Sequence, residues 1–168
     1  MKRVWCLLLL ALLSGSAFAE KGLKTLAPKL APRLTLPTLA GGPKADLEQL
    51  RGKVVLVNFW ATWCPPCRQE MPSMQRLSDK LAGKPFAILG VNVGETPVQV
   101  GSFLKIVPVR FSIALDEKGQ NLNAWQVFAF PTSYLVDKQG RIRYGLFGSI
   151  EWDEPEAVQV IESLLAEP

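Results

Sequence analysis

Residues 54–72 of the chain, VVLVNFWATWCPPCRQEMP, carry the strongest signals of secondary structure. Residues 54–60 are β-branched, aliphatic or aromatic apart from Asn58, and a continuous run of this kind is typical of a strand buried on both faces. Residues 65–81 then follow helical spacing, with apolar side chains recurring on one side at Met71, Met74, Leu77 and Leu81. This pattern predicts the central strand of a sheet, followed directly by a helix.

Two cysteines, Cys64 and Cys67, lie where the predicted strand ends and the helix begins. There the first cysteine meets the free N–H groups and the positive end of the helix dipole, which favour a thiolate. The thiolate is the attacking species in thiol–disulfide exchange. Pro65 and Pro66 suit the first helical turn and offer the sulfurs no N–H donor. These features favour a reductant of disulfides over a strong oxidant.

The cysteine pair has two structural alternatives, a stable disulfide and half of a zinc site. Structural disulfides usually close longer loops, where the entropic gain is larger. A tetrahedral zinc site needs two further ligands, whereas the chain contains three cysteines and no histidine. We therefore expect redox chemistry, no metal and no cofactor beyond a redox-active disulfide between Cys64 and Cys67.

The composition sets the class of protein. The chain has 168 residues, 48% of them hydrophobic and 20% charged, which indicates one globular domain. Without histidine there is no Ser-His-Asp triad, no Cys-His dyad and no His-ligated metal. No stretch interleaves basic and aromatic residues as a nucleic-acid surface would, so no nucleic acid is expected as a partner.

The N-terminus predicts export. Residues 1–19 resemble a secretory signal peptide, with Lys2 and Arg3 before an apolar run and Ala17-Phe18-Ala19 at the cleavage site. An uncleaved membrane anchor is the alternative, although the apolar run is about ten residues against roughly 20 for a spanning helix. Residues 20–33, rich in Pro, Lys and Ala, are predicted to form a tether to the domain.

The rest of the chain predicts an α/β fold, a mixed sheet with helices on both faces. Gly140 marks a hairpin between the last two strands. Further strands are predicted at residues 86–93, 110–115, 132–136 and 141–147, and helices at residues 46–51, 98–106, 121–127 and 154–166.

Residues 54–72 resemble the thioredoxin superfamily, and specifically its TlpA/ResA-like extracytoplasmic branch. The resemblance covers about residues 34–165, so residues 34–168 are assigned to one thioredoxin-like domain. It implies a thioredoxin-like fold, with Cys64 as the exposed nucleophile and Cys67 as the buried resolving thiol. It also implies a monomer in the periplasm that takes electrons from a membrane thiol-disulfide carrier. Oxidised periplasmic proteins would be its clients, possible roles including cytochrome c maturation.

The resemblance also assigns roles around the disulfide. Pro131 matches the cis-proline beside it, where the flanking backbone pairs with substrate, and Trp63, Pro65, Pro66 and Phe130 are expected to complete the substrate-binding surface. Glu70, one helical turn after Cys67, is expected to exchange a proton with that thiol. Two further expectations come from the residues themselves: Glu95 has a structural role in its loop, the alternative being that it lines the active-site cleft, and Trp125 and Trp152 pack in the core or at the surface and do not bind substrate.

Two other functions fit parts of the pattern. Peroxiredoxins share the fold, but their nucleophile stands in a T-x-x-C motif, whereas Thr62 is two residues before Cys64. A metallochaperone of related fold uses cysteines with a distant histidine, a residue that this chain lacks. Thiol peroxidase and metallochaperone are therefore the alternatives to a thiol-disulfide oxidoreductase.

Overall fold

A computed structural model describes residues 22–168 of the chain. The predicted signal peptide, residues 1–19, lies outside the described residues. The strands are β1 (Lys24–Leu30), β2 (Thr35–Leu36), β3 (Ala45–Asp46), β4 (Val54–Trp60), β5 (Phe86–Val93), β6 (Ser112–Asp116), β7 (Thr132–Val136) and β8 (Arg141–Phe147). The helices are a 3-10 helix at Leu47–Leu50 and the α-helices α1 (Pro65–Lys80), α2 (Pro97–Leu104) and α3 (Pro155–Ala166).

Six of these strands form one mixed sheet in the order β1-β8-β7-β4-β5-β6. The strand β4 runs parallel to β5 and antiparallel to β7, and every one of its residues is buried. The predicted α/β architecture and the central place of residues 54–60 are thus confirmed. Strands β2 and β3 pair with each other in a separate two-stranded sheet.

The three α-helices share one face of the sheet. The crossovers from β4 to β5 and from β5 to β6 step across the sheet in the same direction, and right-handed crossovers then place α1 and α2 on the same side. Buried side chains of all three α-helices form one cluster with alternate residues of β4: Leu56, Trp60, Met71, Phe103 and Ile161 are examples. The second face carries the 3-10 helix and the aromatic ring of Trp125, in a cluster that includes Leu47, Val57 and Phe59. The three α-helices therefore lie on one face of the sheet and the 3-10 helix on the other.

The helix predicted at residues 121–127 is wrong. These residues form turns, with one helix-like hydrogen bond from the N–H of Trp125 to the carbonyl of Asn121. Gln126 then adopts φ 53°, a left-handed conformation that no α-helix continues through. The other predicted helices and strands are present, with ends that differ by at most two residues.

The predicted tether needs a larger correction. Within residues 20–33, the segment Lys24–Leu30 is an edge strand that pairs antiparallel with β8. Pro28 lies where the register shifts between Thr25 and Lys29, and proline is tolerated at such an edge irregularity. The prolines that suggested a tether are thus compatible with a strand. Within residues 22–168, no helix has the length and apolar character needed to cross a membrane.

Candidate active site

The cysteine pair lies at the start of α1, as predicted. Cys64 is the N-cap residue of the helix, and it forms a disulfide with Cys67 across a Cα–Cα distance of 5.3 Å. The Cys64 sulfur also accepts a hydrogen bond from the backbone N–H of Cys67 at 3.3 Å. An N–H donor at this position stabilises negative charge on the sulfur after reduction.

Both cysteines are more enclosed than the resemblance implies. Cys67 is fully buried, as expected, but Cys64 is only 3% exposed and both belong to the core cluster on the α-helical face. The expected exposed nucleophile is therefore corrected to a nearly buried one. Cys64 packs in the same buried cluster as Trp60 at the end of β4 and Cys67 in the first turn of α1.

Prolines shape the first turns of α1. Pro65 and Pro66 occupy the first two helical positions, where a missing N–H costs nothing. Pro72 lies inside the helix and leaves the carbonyl four residues earlier without its usual partner.

Glu70 is a buried carboxyl group on α1, one helical turn after Cys67. It is 1% exposed, and its two oxygens accept hydrogen bonds from different elements. Asn58 of β4 donates to Oε1 at 2.8 Å, and the indole N–H of Trp152 donates to Oε2 at 3.2 Å. Burial raises the pKa of Glu70 to about 8, while these hydrogen bonds act in the opposite direction. A carboxyl group with such a pKa is well matched to exchange a proton with a thiol near neutral pH.

The Phe130–Pro131 peptide bond, for which the resemblance implies the cis form, is cis in the structure. The ring of Phe130 meets that of Trp63 edge to face, with centroids 5.9 Å apart. Trp63 is 66% exposed and Phe128 is 87% exposed. Together they border a cavity of about 260 Å³ lined by Trp63, Leu122, Val127, Phe128, Ala129 and Phe130.

Glu95 fastens the loop that leads to Cys64. Its carboxylate accepts hydrogen bonds from the backbone N–H of Thr62 at 2.7 Å, from the Thr62 hydroxyl, and from the Asn92 side chain at 2.7 Å. Glu95 is 6% exposed, so these donors hold a buried carboxylate between β5 and the end of β4. The structural role expected for Glu95 is confirmed.

The hydrogen-bond donors to Glu70, the side chains of Asn58 and Trp152, are not evident from the sequence. Asn58 also donates to the hydroxyl of Ser133 on β7 at 2.9 Å. Trp152 is fully buried, as expected, but its indole N–H reaches Glu70 from 82 positions along the chain. No local pattern signals a contact of that separation. In the part of the chain that the structure describes, no group of three or more metal-ligating side chains comes together.

The six-stranded mixed sheet and the disulfide at the start of α1 define a thioredoxin-like protein with a dithiol–disulfide site. Comparison with known families gives the same result: the chain belongs to the AhpC/TSA family, whose model matches residues 28–145.

Several curated relatives carry names from thiol chemistry. A thioredoxin-like protein YneN of Bacillus subtilis is 42% identical over 116 residues, which are 67% of this chain and 66% of the relative. The chain thus spans slightly less than two thirds of that protein. A thiol-disulfide oxidoreductase ResA of Geobacillus thermodenitrificans is 37% identical over 153 residues, covering 89% of this chain and 87% of the relative.

Solved structures show the same likeness. A thiol:disulfide interchange protein DsbE from Chlorobium tepidum superposes with a TM-score of 0.78 and 33% identity, over 85% of this chain and all of that one. StoA from Bacillus subtilis superposes with a TM-score of 0.66 and 26% identity, over 83% of this chain and all of StoA.

Proposed function

We propose that this protein is a thiol-disulfide oxidoreductase that reduces disulfides of client proteins through Cys64 and Cys67. The observation that carries the proposal is the cysteine pair at the N-terminus of α1, with a buried carboxyl group, Glu70, one helical turn further on. The relatives named ResA and DsbE support the same reaction class.

The reaction begins with the reduced protein. The Cys64 thiolate attacks one sulfur of the client disulfide, a mixed disulfide forms, and the other client sulfur leaves as a thiolate. Cys67 then loses its proton to the Glu70 carboxylate and attacks the sulfur of Cys64. The second client thiolate leaves, and the Cys64–Cys67 disulfide remains. Two electrons pass from the protein to the client, whose thiolates take up protons.

Several features support reduction as the direction of the reaction. Pro65 and Pro66 have no N–H to donate, so in the first helical turn the Cys64 sulfur accepts from the backbone N–H of Cys67, and no histidine stands between the cysteines. A thiolate with few donors is a less stable leaving group, which favours the oxidised form of the protein and hence its action as a reductant. A membrane thiol-disulfide carrier would restore the dithiol, and no further cofactor takes part.

The client is bound beside Cys64. Trp63 and Phe130 form the substrate surface together with Pro65 and Pro66, and the cis-proline Pro131 adjoins it in a buried position. The exposed ring of Trp63 and the half-buried ring of Phe130 offer apolar contact to residues that flank a client cysteine. The signal-like residues 1–19 support a periplasmic location, with oxidised periplasmic proteins as clients and cytochrome c maturation as a candidate role. The protein acts as a monomer, which its mass in solution tests.

Reduction of insulin disulfides, with dithiothreitol as the electron source, tests the reaction. We expect the purified protein to accelerate insulin precipitation and Cys64→Ala to lose that acceleration entirely. Ser163→Ala, which removes an exposed hydroxyl on α3, is the control and retains activity. Full activity in Cys64→Ala would overturn the mechanism, as would peroxide turnover by the wild type without disulfide exchange.

Trapping in cells tests the clients and the compartment. Cys67→Ala removes the resolving thiol, so mixed disulfides through Cys64 are expected to accumulate in the periplasmic fraction. The double variant Cys64→Ala/Cys67→Ala controls for other adducts. Absence of reducible complexes with Cys67→Ala would contradict the dithiol relay.

A further inference from the structure

The connection between β8 and α3, residues 148–154, is fastened to α1 on both sides of Trp152. The backbone N–H of Trp152 donates to the Ser73 hydroxyl at 2.9 Å, and that hydroxyl donates to the Glu70 carbonyl at 2.7 Å. Arg76, one turn further along α1, binds Asp153 at 2.6 Å and Glu151 at 2.9 Å. These contacts hold the fully buried indole of Trp152 against the Glu70 carboxyl group.

We propose that Trp152 is a positioning residue that stabilises Glu70 as a carboxylate and directs the incoming proton to Oε1. The proposal rests on the proposed function of Glu70 as the proton acceptor for Cys67. It goes beyond that function because it assigns a distant residue, and a particular oxygen, to the proton transfer.

The two hydrogen-bond partners of the Glu70 carboxyl group differ in whether they can accept a hydrogen bond as well as donate one. The indole N–H of Trp152 is a donor and has no acceptor to offer, so its hydrogen bond to Oε2 weakens when that oxygen is protonated, because a carboxylic hydroxyl oxygen is a poorer acceptor than a carbonyl or carboxylate oxygen. Asn58, the partner of Oε1, is different because its amide can turn and present Oδ1 as an acceptor. The hydroxyl of Ser133, which now accepts from Asn58, can donate to the turned amide. The network thus accommodates a proton on Oε1 and opposes one on Oε2.

Among the groups around Glu70, Trp152 has a distinct effect on the pKa of the Glu70 carboxyl group. Burial raises the pKa of Glu70, the hydrogen bonds from Asn58, from Trp152 and from the backbone of Ile150 lower it, and the charge of Glu151 raises it slightly. Arg76 of α1 is paired with Glu151 and Asp153. Strands β4 and β7 contribute Asn58 and Ser133, which carry no charge. Loss of the indole donor therefore shifts the balance toward the neutral acid.

Trp152→Phe tests the proposal because it removes the N–H and keeps an aromatic ring. The pKa of Glu70 is measured in the oxidised protein by carbon-13 NMR of its carboxyl group, assigned with Glu70→Gln. A hydrogen bond to a charged group supports a rise of about one pKa unit on its removal. The matched control is Trp125→Phe: Trp125 is equally buried but lies on the other face, and its indole N–H has no partner among residues 22–168. An unchanged Glu70 pKa in folded Trp152→Phe would overturn the proposal.

A measurement on the unmodified protein removes any dependence on the folding of a variant. The indole N–H resonance of Trp152 is expected to shift with pH at the pKa of Glu70, and to lose that shift in Glu70→Gln. An indole resonance that does not respond to Glu70 would overturn the proposal.

Kinetics separate this inference from the proposed function. At pH values below the Glu70 pKa, one unit of upward shift reduces the carboxylate population about tenfold. Trp152→Phe should therefore slow release of a Cys64 mixed disulfide about tenfold near neutral pH, with recovery in alkali. If the Glu70 pKa shifts but release is unaffected, Trp152 positions Glu70 and the acceptor role is wrong. If Glu70→Gln slows release but Trp152→Phe leaves the pKa unchanged, the acceptor role stands and this inference is wrong.

Discussion

Glu70 shows how one side chain takes its chemistry from its place in the fold. In water its carboxyl group would ionise near an ordinary value of 4.5, but burial raises its pKa to about 8. The neutral acid is thus the favoured form of the oxidised protein over most of the physiological range. A group of this kind is ready to shuttle a proton, and it also makes stability depend on pH.

The first prediction follows from this linkage. Between pH 4.5 and about 8 the folded protein keeps the Glu70 proton that the unfolded chain loses, so its stability falls as pH rises. The slope is at most about 1.4 kcal/mol per pH unit, or about 2.5 kcal/mol between about pH 5.5 and pH 7.5. Urea unfolding of the oxidised protein at these two pH values measures it, and Glu70→Gln should lose the dependence.

The composition reduces the number of other groups that could change the stability of the protein between pH 5.5 and pH 7.5. The chain has no histidine, the residue whose ordinary titration falls in the same range, and the oxidised cysteine pair does not titrate. An equal fall in stability with pH in Glu70→Gln would mean that another group is responsible and that Glu70 ionises normally.

At the scale of elements, the active site depends on loops fastened by buried polar groups. The loop between β4 and α1 carries Trp63 and leads to Cys64, and its residue Thr62 is bound by Glu95 at the end of β5. The parallel pairing of β4 and β5 brings these two loops to the same edge of the sheet. Glu95 thereby holds Thr62 in the loop that leads to Cys64.

Glu95→Ala tests this fastening. It leaves the buried N–H of Thr62 without an acceptor, so we expect the free energy of unfolding to fall by about 1–3 kcal/mol. Hydrogen exchange at the Thr62 amide should become faster as well. Glu48→Ala is the control because it removes an exposed carboxylate, paired with Arg51 on the surface, and should have a much smaller effect. Equal stabilities of Glu95→Ala and the wild type would show that the loop is held by other contacts.

At the scale of the whole molecule, β1 extends the sheet beyond the resemblance that begins at about residue 34. It is mostly exposed, but it covers the edge of β8, and Leu26 packs against the second core cluster. Two strands, β8 and β7, lie between it and β4, the strand that leads to the disulfide. The strand should therefore contribute to stability and have little influence on catalysis.

Two truncated chains test this, one beginning at Gly22 and the other at Ala31. Loss of β1 should lower Tm by roughly 5 °C, as expected for a loss of one to two kcal/mol in a domain of this size. The rate of insulin reduction at room temperature should remain the same for both. Equal Tm values would restore the view of residues 20–33 as a tether.

The candidate site was predictable in part because some of its signals are local. The order of a buried strand, two cysteines and an amphipathic helix places Cys64 at a helix N-terminus by geometry alone, since the spacing of residues 54–81 leaves no other arrangement. The same reasoning placed Glu70 one turn beyond Cys67. The strand at Lys24–Leu30 was missed because its partner, β8, is far along the chain. The turn at residues 121–127 was missed because Gln126 adopts a left-handed conformation that its residue type does not signal.

The central strand, the helix that follows it, the cysteine pair and the absence of histidine can be read from the sequence, because each depends on residues adjacent in the chain or on composition. The near-complete burial of Cys64, the desolvation of Glu70 and the contacts of Asn58 and Trp152 with its two oxygens follow from the packing of the folded chain. Burial and hydrogen bonding between distant residues arise when helices pack on the sheet, and together they set the pKa of the Glu70 carboxyl group.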